Sequence, residues 1–185
     1  MAEATKKKNY RVSEAYKDLT ELSSDLIASY GPSIVELDIS YNKFKDLRFL
    51  QELPKLKSLV ADHNHLTSHV KIPHCASLET LWVNQNRIQN LSLFIATVAK
   101  SCPNLKILSM MKNEAAPSFF NGGDYQQYKD YRYFVISSLP NLEVLDFSRI
   151  TPEEKSEALR IYPISIVHTR KYKSGKRNRK PKASS

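Results

Sequence analysis

The sequence is poor in several residues that mark particular classes of protein. It holds 4 glycines in 185 residues, too few for long glycine-rich loops that cradle phosphates. Its 2 cysteines are too few for the disulfide framework of a small secreted domain. No apolar run approaches the roughly 18 residues of a transmembrane helix, and no apolar stretch follows the charged residues 1–8 as it would in a secretory signal. We therefore expect a chain without a transmembrane segment, located in the cytoplasm, with the nucleus as the alternative.

Motifs that carry enzymatic or metal chemistry are also lacking. We find no phosphate loop, no paired-cysteine metal motif and no nucleophile elbow. One histidine cluster lies beside Cys75 and consists of His63, His65, His69 and His74. Zinc ligands must converge within about 2.0–2.3 Å of one point, whereas solvated loop histidines are the usual explanation for such a cluster. We expect no metal, no cofactor and no enzymatic activity.

The net charge of +9 is concentrated near the two ends of the chain. Residues 170–182 hold eight basic residues and no acidic one, and the first eleven residues contribute +3. The segment between them therefore carries a net charge of −2. A folded domain that binds nucleic acid is expected to carry positive charge on the surface of the fold itself, not only near the ends of the chain. We therefore expect protein partners and no nucleic acid.

The strongest signal is an internal repeat with the pattern L-x-x-L-x-L-x-x-N-x-L. Four aligned copies hold an apolar residue at every L position. A fifth copy begins with Leu142, Leu145 and Phe147 but lacks the asparagine. The asparagines are spaced by 22, 22 and 27 residues and lie at Asn42, Asn64, Asn86 and Asn113. Periods in the twenties are typical of leucine-rich repeats.

This repeat predicts a particular fold. In each copy, L-x-L forms a short parallel strand whose apolar side chains point inward. The asparagine turns the chain, and its amide can bond to backbone groups of the neighbouring turn. No copy can bury its apolar face alone, so the copies must stack. We predict an α/β fold: a curved leucine-rich-repeat solenoid with a parallel sheet on its concave face, a C-terminal helical cap and structural roles for the four asparagines. We expect a monomer.

Two helix starts predict the cap. Asp124 follows Gly122 and Gly123 and predicts a helix that runs to about Ser138. The sequence TPEE at residues 151–154 has the form of a capping box and predicts a helix to about Tyr162. Solenoids need such caps to cover the apolar surface that the last repeat exposes.

These features divide the chain into five parts. We predict a basic N-terminal tail at residues 1–11, a degenerate repeat at 12–33, four repeats at 34–115, an insertion with the fifth repeat and the cap at 116–162, and a basic tail at 163–185. We expect the last part to be disordered, since it is polar and basic. Three interpretations of it remain open: a solvated end, a nuclear import signal at residues 176–180, or an anchor to acidic lipid or RNA.

Both cysteines occupy the same slot of the repeat. The residues three positions before the first leucine of successive copies are Leu53, Cys75, Cys102 and Leu139. A slot that elsewhere holds leucine predicts a buried apolar side chain. Because a reactive thiol needs exposure and a nearby positive charge, we expect both thiols to be unreactive.

The repeat register predicts which side chains face outward from the concave sheet. Trp82, the only tryptophan, falls between two core positions and therefore points away from the core. Exposed apolar clusters are typical of interaction sites, and tryptophan is enriched at their hot spots. The alternative is that a tail or the inserted loop folds over Trp82. We predict that a protein partner binds at Asp38, Tyr41, Val60, His63, Trp82, Asn84, Ile107 and Met111.

Two segments resemble known families. Residues 130–136 (DYRYFVI) and 139–142 (LPNL), with Thr151 and Glu154, are similar to a cap shared by the spliceosomal A-prime protein and the acidic nuclear phosphoproteins. Residues 105–113 and an insertion ending at Asp124 and Tyr125, with Tyr128 leading into the cap, resemble the leucine-rich melanocyte differentiation-associated protein family.

The second resemblance covers residues 34–159 and has the more specific implication. It implies a non-enzymatic adaptor in melanocyte differentiation and melanosome-related membrane trafficking. Small Rab GTPases and endosomal recycling machinery would then be among its partners. The shared cap implies the alternative, a component of a nuclear ribonucleoprotein like the spliceosomal A-prime protein.

Overall fold

The computed structural model describes residues 9–118 and 122–163. The predictions for residues 1–8 and for the basic segment 164–185 lie outside the described residues.

One sheet runs through the described part of the chain, with each strand beside the next in chain order. The first six strands are parallel and the seventh is antiparallel to the sixth. This topology confirms the predicted α/β leucine-rich-repeat solenoid. The strands are β1 (Tyr10–Ser13), β2 (Ile34–Asp38), β3 (Ser58–Val60), β4 (Thr80–Trp82), β5 (Ile107–Ser109), β6 (Val144–Leu145) and β7 (Ser148–Arg149).

The core is built by stacking the same repeat position on itself. One leucine from each of five neighbouring strands pairs with the next, and none of the five is more than 1% exposed. Full burial of a leucine stabilises a fold by about 1.5–3 kcal/mol relative to exposure. The stacked residues are Leu37, Leu59, Leu81, Leu108 and Leu145.

The N-terminal turn is a strand followed by a helix. Val12 of β1 pairs with Leu37 of β2, and the helix α1 (Ser24–Tyr30) follows. Ser23 caps α1 by accepting a hydrogen bond from the Leu26 N–H. A 3-10 helix at Gly31–Ser33 leads into β2. The predicted end of the tail at residue 11 is wrong, because β1 already includes residues 10 and 11 through its pairing with β2.

The return segments explain the unequal spacing of the asparagines. Between β2 and β3 the chain returns through a 3-10 helix at Arg48–Glu52, within a 22-residue period. Between β4 and β5 it forms an 11-residue helix α2 (Leu91–Ser101), which accounts for the 27-residue spacing. Asn90 caps α2, and Phe94, Ile95 and Val98 are buried on its inner face.

Two helices close the C-terminal end. Helix α3 (Tyr125–Ser138) starts with a complete capping box between Asp124 and Gln127. Helix α4 (Pro152–Ile161) starts at Thr151, whose hydroxyl accepts a hydrogen bond from the Glu154 N–H.

A buried ion pair joins the two cap helices. The Glu154 carboxylate does not complete the predicted capping box at Thr151, because Arg132 of α3 binds it, with Nη2···Oε2 at 2.9 Å. The Arg132 side chain, which is 5% exposed, also donates to the Leu145 carbonyl at 3.0 Å. This guanidinium therefore holds α3, α4 and β6 together.

Candidate protein-binding face

Trp82 lies on the outward side of β4. Its chain neighbours Leu81 and Val83 are 0% exposed, so strand alternation directs the indole away from the core. In the sheet register, Trp82 lies between Val60 of β3 and Ser109 of β5. The indole is half-buried and contacts the Phe147 ring edge-on, with centroids 5.1 Å apart and planes at 76°. One side of the tryptophan is therefore covered by a side chain from the cap.

Phe147 corrects the prediction for the fifth repeat. The pattern placed it in the core, but it is 58% exposed. Leu145 pairs with Ser148 across the β6–β7 hairpin, so Asp146 and Phe147 form its two-residue loop, with φ of 50° and 64°. Two-residue hairpin loops favour positive φ at both positions. This turn sends the Phe147 ring onto Trp82 and away from the core.

The turn is held by the Asp146 carboxylate. Its Oδ1 accepts a hydrogen bond from the Met110 N–H at 2.9 Å, and its Oδ2 accepts one from the Tyr131 hydroxyl at 2.6 Å. Burial raises the pKa of Asp146, and burial also raises the pKa of Tyr131. These bonds tie the hairpin loop to β5 and α3, so the position of Phe147 is set by the cap.

An apolar patch lies on the concave face around Trp82. Met111 is 37% exposed and Phe147 is 58% exposed, whereas Val60, Trp82 and Ile107 are half-buried. Because these side chains are exposed or only half-buried, they leave apolar surface that a partner can bury. We call Val60, Trp82, Ile107, Met111 and Phe147 the apolar patch.

Asn84 does not belong to the exposed surface. It is 8% exposed, and its Oδ1 accepts hydrogen bonds from the Ser109 hydroxyl at 2.7 Å and the Met111 N–H at 2.8 Å. Its Nδ2 donates to Asp62 Oδ2 at 3.1 Å. The expectation that Asn84 faces solvent is wrong, because these bonds hold its amide between three neighbouring turns. Its contact with a partner stays a prediction.

Three aromatic rings stack along one rim of the concave face. The centroids of Tyr16 and Tyr41 are 4.2 Å apart with planes at 12°, and those of Tyr41 and His63 are 3.9 Å apart at 16°. All three residues have positive φ, between 51° and 59°. Tyr16 and Tyr41 remain 73% and 43% exposed.

Tyr16 is a member of this stack that sequence reasoning missed. The degenerate N-terminal repeat carries Lys17 where the four repeats after it carry asparagine, so the pattern did not align it. The structure shows the equivalence, because the Tyr16 N–H donates to Ser40 as the Tyr41 N–H donates to Asp62, both at 3.0 Å. Aligning Val12 with Leu37 in the sequence would have found the position.

Two carboxylates lie on the N-terminal half of the face. Asp38 Oδ1 accepts hydrogen bonds from the Ser40 N–H at 2.8 Å and the Ser40 hydroxyl at 2.6 Å. Burial raises the pKa of Asp62, and the negative charge of Asp38 raises it further. Within the described residues, no ion pair includes either carboxylate, whereas Glu36 pairs with Arg11 at 3.1 Å. Asp38 and Asp62 therefore offer negative charge to a cationic group.

The repeat asparagines hold neighbouring turns together. Asn64 Oδ1 accepts a hydrogen bond from the Phe44 N–H, and its Nδ2 donates to the Ile39 carbonyl, both at 2.9 Å. Equivalent pairs of bonds to the preceding turn occur at Asn42, Asn86 and Asn113. All four asparagine side-chain amides are therefore used in hydrogen bonds between neighbouring turns.

The histidine cluster is dispersed in the fold. His63 is stacked on Tyr41, whereas Cys75 packs against the hydrophobic core. Across residues 9–118 and 122–163, no group of three or more histidine, cysteine, aspartate or glutamate side chains is placed to hold a metal ion. None of the helices in these same ranges is long and apolar enough to cross a membrane.

The chain is similar to several known proteins, although no family model matches it. It is 36% identical over 128 residues to the human leucine-rich melanocyte differentiation-associated protein, which covers 66% of this chain and 65% of that protein. It is 29% identical to human cilia- and flagella-associated protein 410, in a match that covers 71% of this chain and 48% of that protein. It is also 29% identical to the U2 small nuclear ribonucleoprotein A' of Schizosaccharomyces pombe, in a match that covers 63% of this chain and 46% of that protein. The chain thus spans less than two thirds of the length of each of these relatives. The first match confirms the resemblance to the leucine-rich melanocyte differentiation-associated protein family.

A solved structure shares the fold. The chain resembles one in the crystal structure of the Drosophila melanogaster SNF/U2A' complex, with a TM-score of 0.57 and 19% identity. The match covers 86% of this chain and 81% of that chain. At this level of identity, the likeness supports the leucine-rich-repeat fold alone.

Proposed function

We propose that this leucine-rich-repeat protein is a non-enzymatic adaptor that binds protein partners through the concave face of its solenoid. The observation that carries the proposal is the outward position of Trp82, beside the exposed Phe147. A few large aromatic side chains supply most of the binding energy at protein interfaces. Two of the relatives named above are a leucine-rich protein and a ribonucleoprotein component, which agrees with a binding role.

The distribution of side chains on the face favours a partner segment with two kinds of group. The apolar patch favours aromatic or aliphatic side chains over Trp82 and Phe147. Asp38 and Asp62 favour a lysine or arginine at the N-terminal half of the face. Charge complementarity of this kind sets the orientation and the association rate of a partner. We propose a partner segment that carries apolar residues at one end and a basic residue at the other.

Sequence similarity supports a finer proposal for the biological role. The match to the leucine-rich melanocyte differentiation-associated protein suggests an adaptor in melanocyte differentiation and melanosome-related membrane trafficking. We propose small Rab GTPases and endosomal recycling machinery as the partners, with the cytoplasm as the location.

A second candidate function is that of a nuclear ribonucleoprotein component. Its support is the similarity to the U2 small nuclear ribonucleoprotein A' and the eight basic residues in the segment 170–182. Under this alternative, the concave face binds a protein of an RNA-containing complex in the nucleus.

Affinity purification with mass spectrometry separates the two candidates. The tagged full chain is purified from cells with and without nuclease treatment, beside the variants Trp82→Ala and Leu93→Ala. Leu93 is 37% exposed on α2, away from the concave sheet, and serves as the matched control.

Each outcome has a definite meaning. The adaptor role predicts Rab GTPases or recycling proteins that resist nuclease, are lost with Trp82→Ala and are kept with Leu93→Ala. Spliceosomal proteins that disappear with nuclease would favour the second candidate. Partners that bind Trp82→Ala as well as the wild type would rule out the proposed face.

A further inference from the structure

The two cysteines lie side by side in adjacent turns of the solenoid. Each starts the turn that leads into a strand, since the Leu78 N–H donates to the Cys75 carbonyl and the Leu105 N–H to the Cys102 carbonyl, both at 3.2 Å. The Cys75 N–H donates to the carbonyl of Ser101, the residue directly before Cys102, at 2.7 Å. The backbone of Cys75 is therefore hydrogen-bonded to the residue that directly precedes Cys102.

This arrangement suits a disulfide. A disulfide needs two cysteines whose Cα atoms are about 4.4–6.8 Å apart, and the Cys75 N–H is bonded to the residue next to Cys102. The two thiols are free and interact with each other, and the Cys75 thiol also donates to the Pro73 carbonyl at 3.3 Å. Their hydrogen bond lowers the pKa of Cys75, whereas the same bond and burial raise the pKa of Cys102. Cys75 is therefore the thiol that more readily becomes a thiolate.

Only one of the two thiols is shielded from solvent, contrary to the expectation that both are buried. Cys102 is 1% exposed, but Cys75 is half-buried and borders a groove of about 220 Å³ together with Pro54 and His74. This volume is several times the roughly 30 Å³ that a water molecule occupies in the liquid. A small oxidant such as hydrogen peroxide therefore fits beside Cys75.

We propose that Cys75 and Cys102 form a reversible disulfide between the third and fourth repeats when the protein meets hydrogen peroxide. The Cys75 thiolate attacks one peroxide oxygen, the O–O bond breaks, and hydroxide leaves as Cys75 becomes a sulfenic acid. The Cys102 sulfur then attacks the Cys75 sulfur, the S–O bond breaks, and the hydroxyl group leaves with the Cys102 proton as water. Two thiols lose two electrons in total, and one peroxide becomes two waters.

The disulfide would join the turns that lead into β4 and β5, which carry Trp82 and Ile107. It would close a loop that contains α2 and would restrict the unfolded chain. Oxidation is therefore expected to raise the melting temperature of the protein.

The test treats the reduced full chain with one equivalent of hydrogen peroxide. We expect both free thiols to be lost, the intact mass to fall by two hydrogen atoms, and the melting temperature to rise. Proteolysis should yield a peptide pair joined through Cys75 and Cys102. Dithiothreitol should restore both thiols and the original melting temperature.

Single-cysteine variants assign the order of the steps. Cys102→Ala should gain oxygen at Cys75 without losing two hydrogens, and Cys75→Ala should resist the same dose of peroxide. If either variant fails to fold, peptide mapping of the wild type still decides the matter. A wild type that keeps both thiols, gains only oxygen or forms a disulfide between two chains would overturn the proposal.

Discussion

Replacing Asn64 by alanine should destabilise the solenoid by about 3 kcal/mol, although it removes no apolar contact of the core. Asn64 is 4% exposed, accepts a hydrogen bond from the Phe44 N–H and donates one to the Ile39 carbonyl, each at 2.9 Å. Alanine would leave both backbone groups buried without these partners. Each such group costs about 1–3 kcal/mol, so the two together cost about 2–6 kcal/mol, and partial entry of water keeps the sum in the lower half of the range for the two groups.

Urea unfolding followed by circular dichroism measures this loss. Asn104→Ala is the matched control, because Asn104 also donates to a carbonyl of the preceding turn, that of Ala76 at 2.9 Å, but is exposed. Water can replace that bond, so we expect a loss below about 1 kcal/mol. Equal losses for the two variants, or a loss below about 1 kcal/mol for Asn64→Ala, would refute the reasoning that buried asparagine bonds hold the turns together.

Three further predictions concern the cap and the concave face. Arg132→Ala should lower the free energy of unfolding in urea by about 3–5 kcal/mol, because it leaves the Glu154 carboxylate without its cationic partner. Arg160→Ala, which removes an exposed ion pair, should lower it by less than about 1 kcal/mol. Similar losses for the two variants would contradict the role of the buried pair. Phe147→Asn should change the free energy of unfolding by less than about 1 kcal/mol, since asparagine tolerates positive φ. The same substitution should weaken partner binding. Unchanged binding would show that Phe147 is not part of the interface. Burial raises the pKa of Asp62, so the folded state keeps that proton to a higher pH than the unfolded chain. The unfolding free energy of the wild type should therefore fall relative to that of Asp62→Asn as the pH rises above about 4, and a rise would contradict the assignment.

Features set by the repeat period were predictable from the sequence. A period that places one leucine per turn at the same position makes Leu59, Leu81 and Leu108 pair across the sheet. The same alternation places Trp82 outside the core, because its two chain neighbours are both core residues. The start of α3 was predictable as well, since the capping interaction of Asp124 involves only residues nearby in the chain.

Features set by contacts between distant residues were not predictable. Phe147 turns outward because the carboxylate of Asp146 is bound by Tyr131, a residue of a different element. Asn84 is buried because Asp62 and Ser109, in the turns on either side, bind its amide. The repeat pattern predicts the position of a side chain along the strand, but its exposure depends on which polar side chains the neighbouring turns supply.

The measurement that most directly tests the binding role is the affinity of the recovered partner for three purified chains: the wild type, Trp82→Ala and Leu93→Ala. Isothermal titration calorimetry gives the three dissociation constants, and thermal unfolding verifies that each chain is folded. If the apolar patch is the interface, Trp82→Ala should raise the dissociation constant by about 30-fold or more, which is the loss of about 2 kcal/mol expected of a hot spot. Leu93→Ala should leave it within about twofold, because surface substitutions outside an interface have small effects. A folded Trp82→Ala chain that binds as tightly as the wild type would contradict the account.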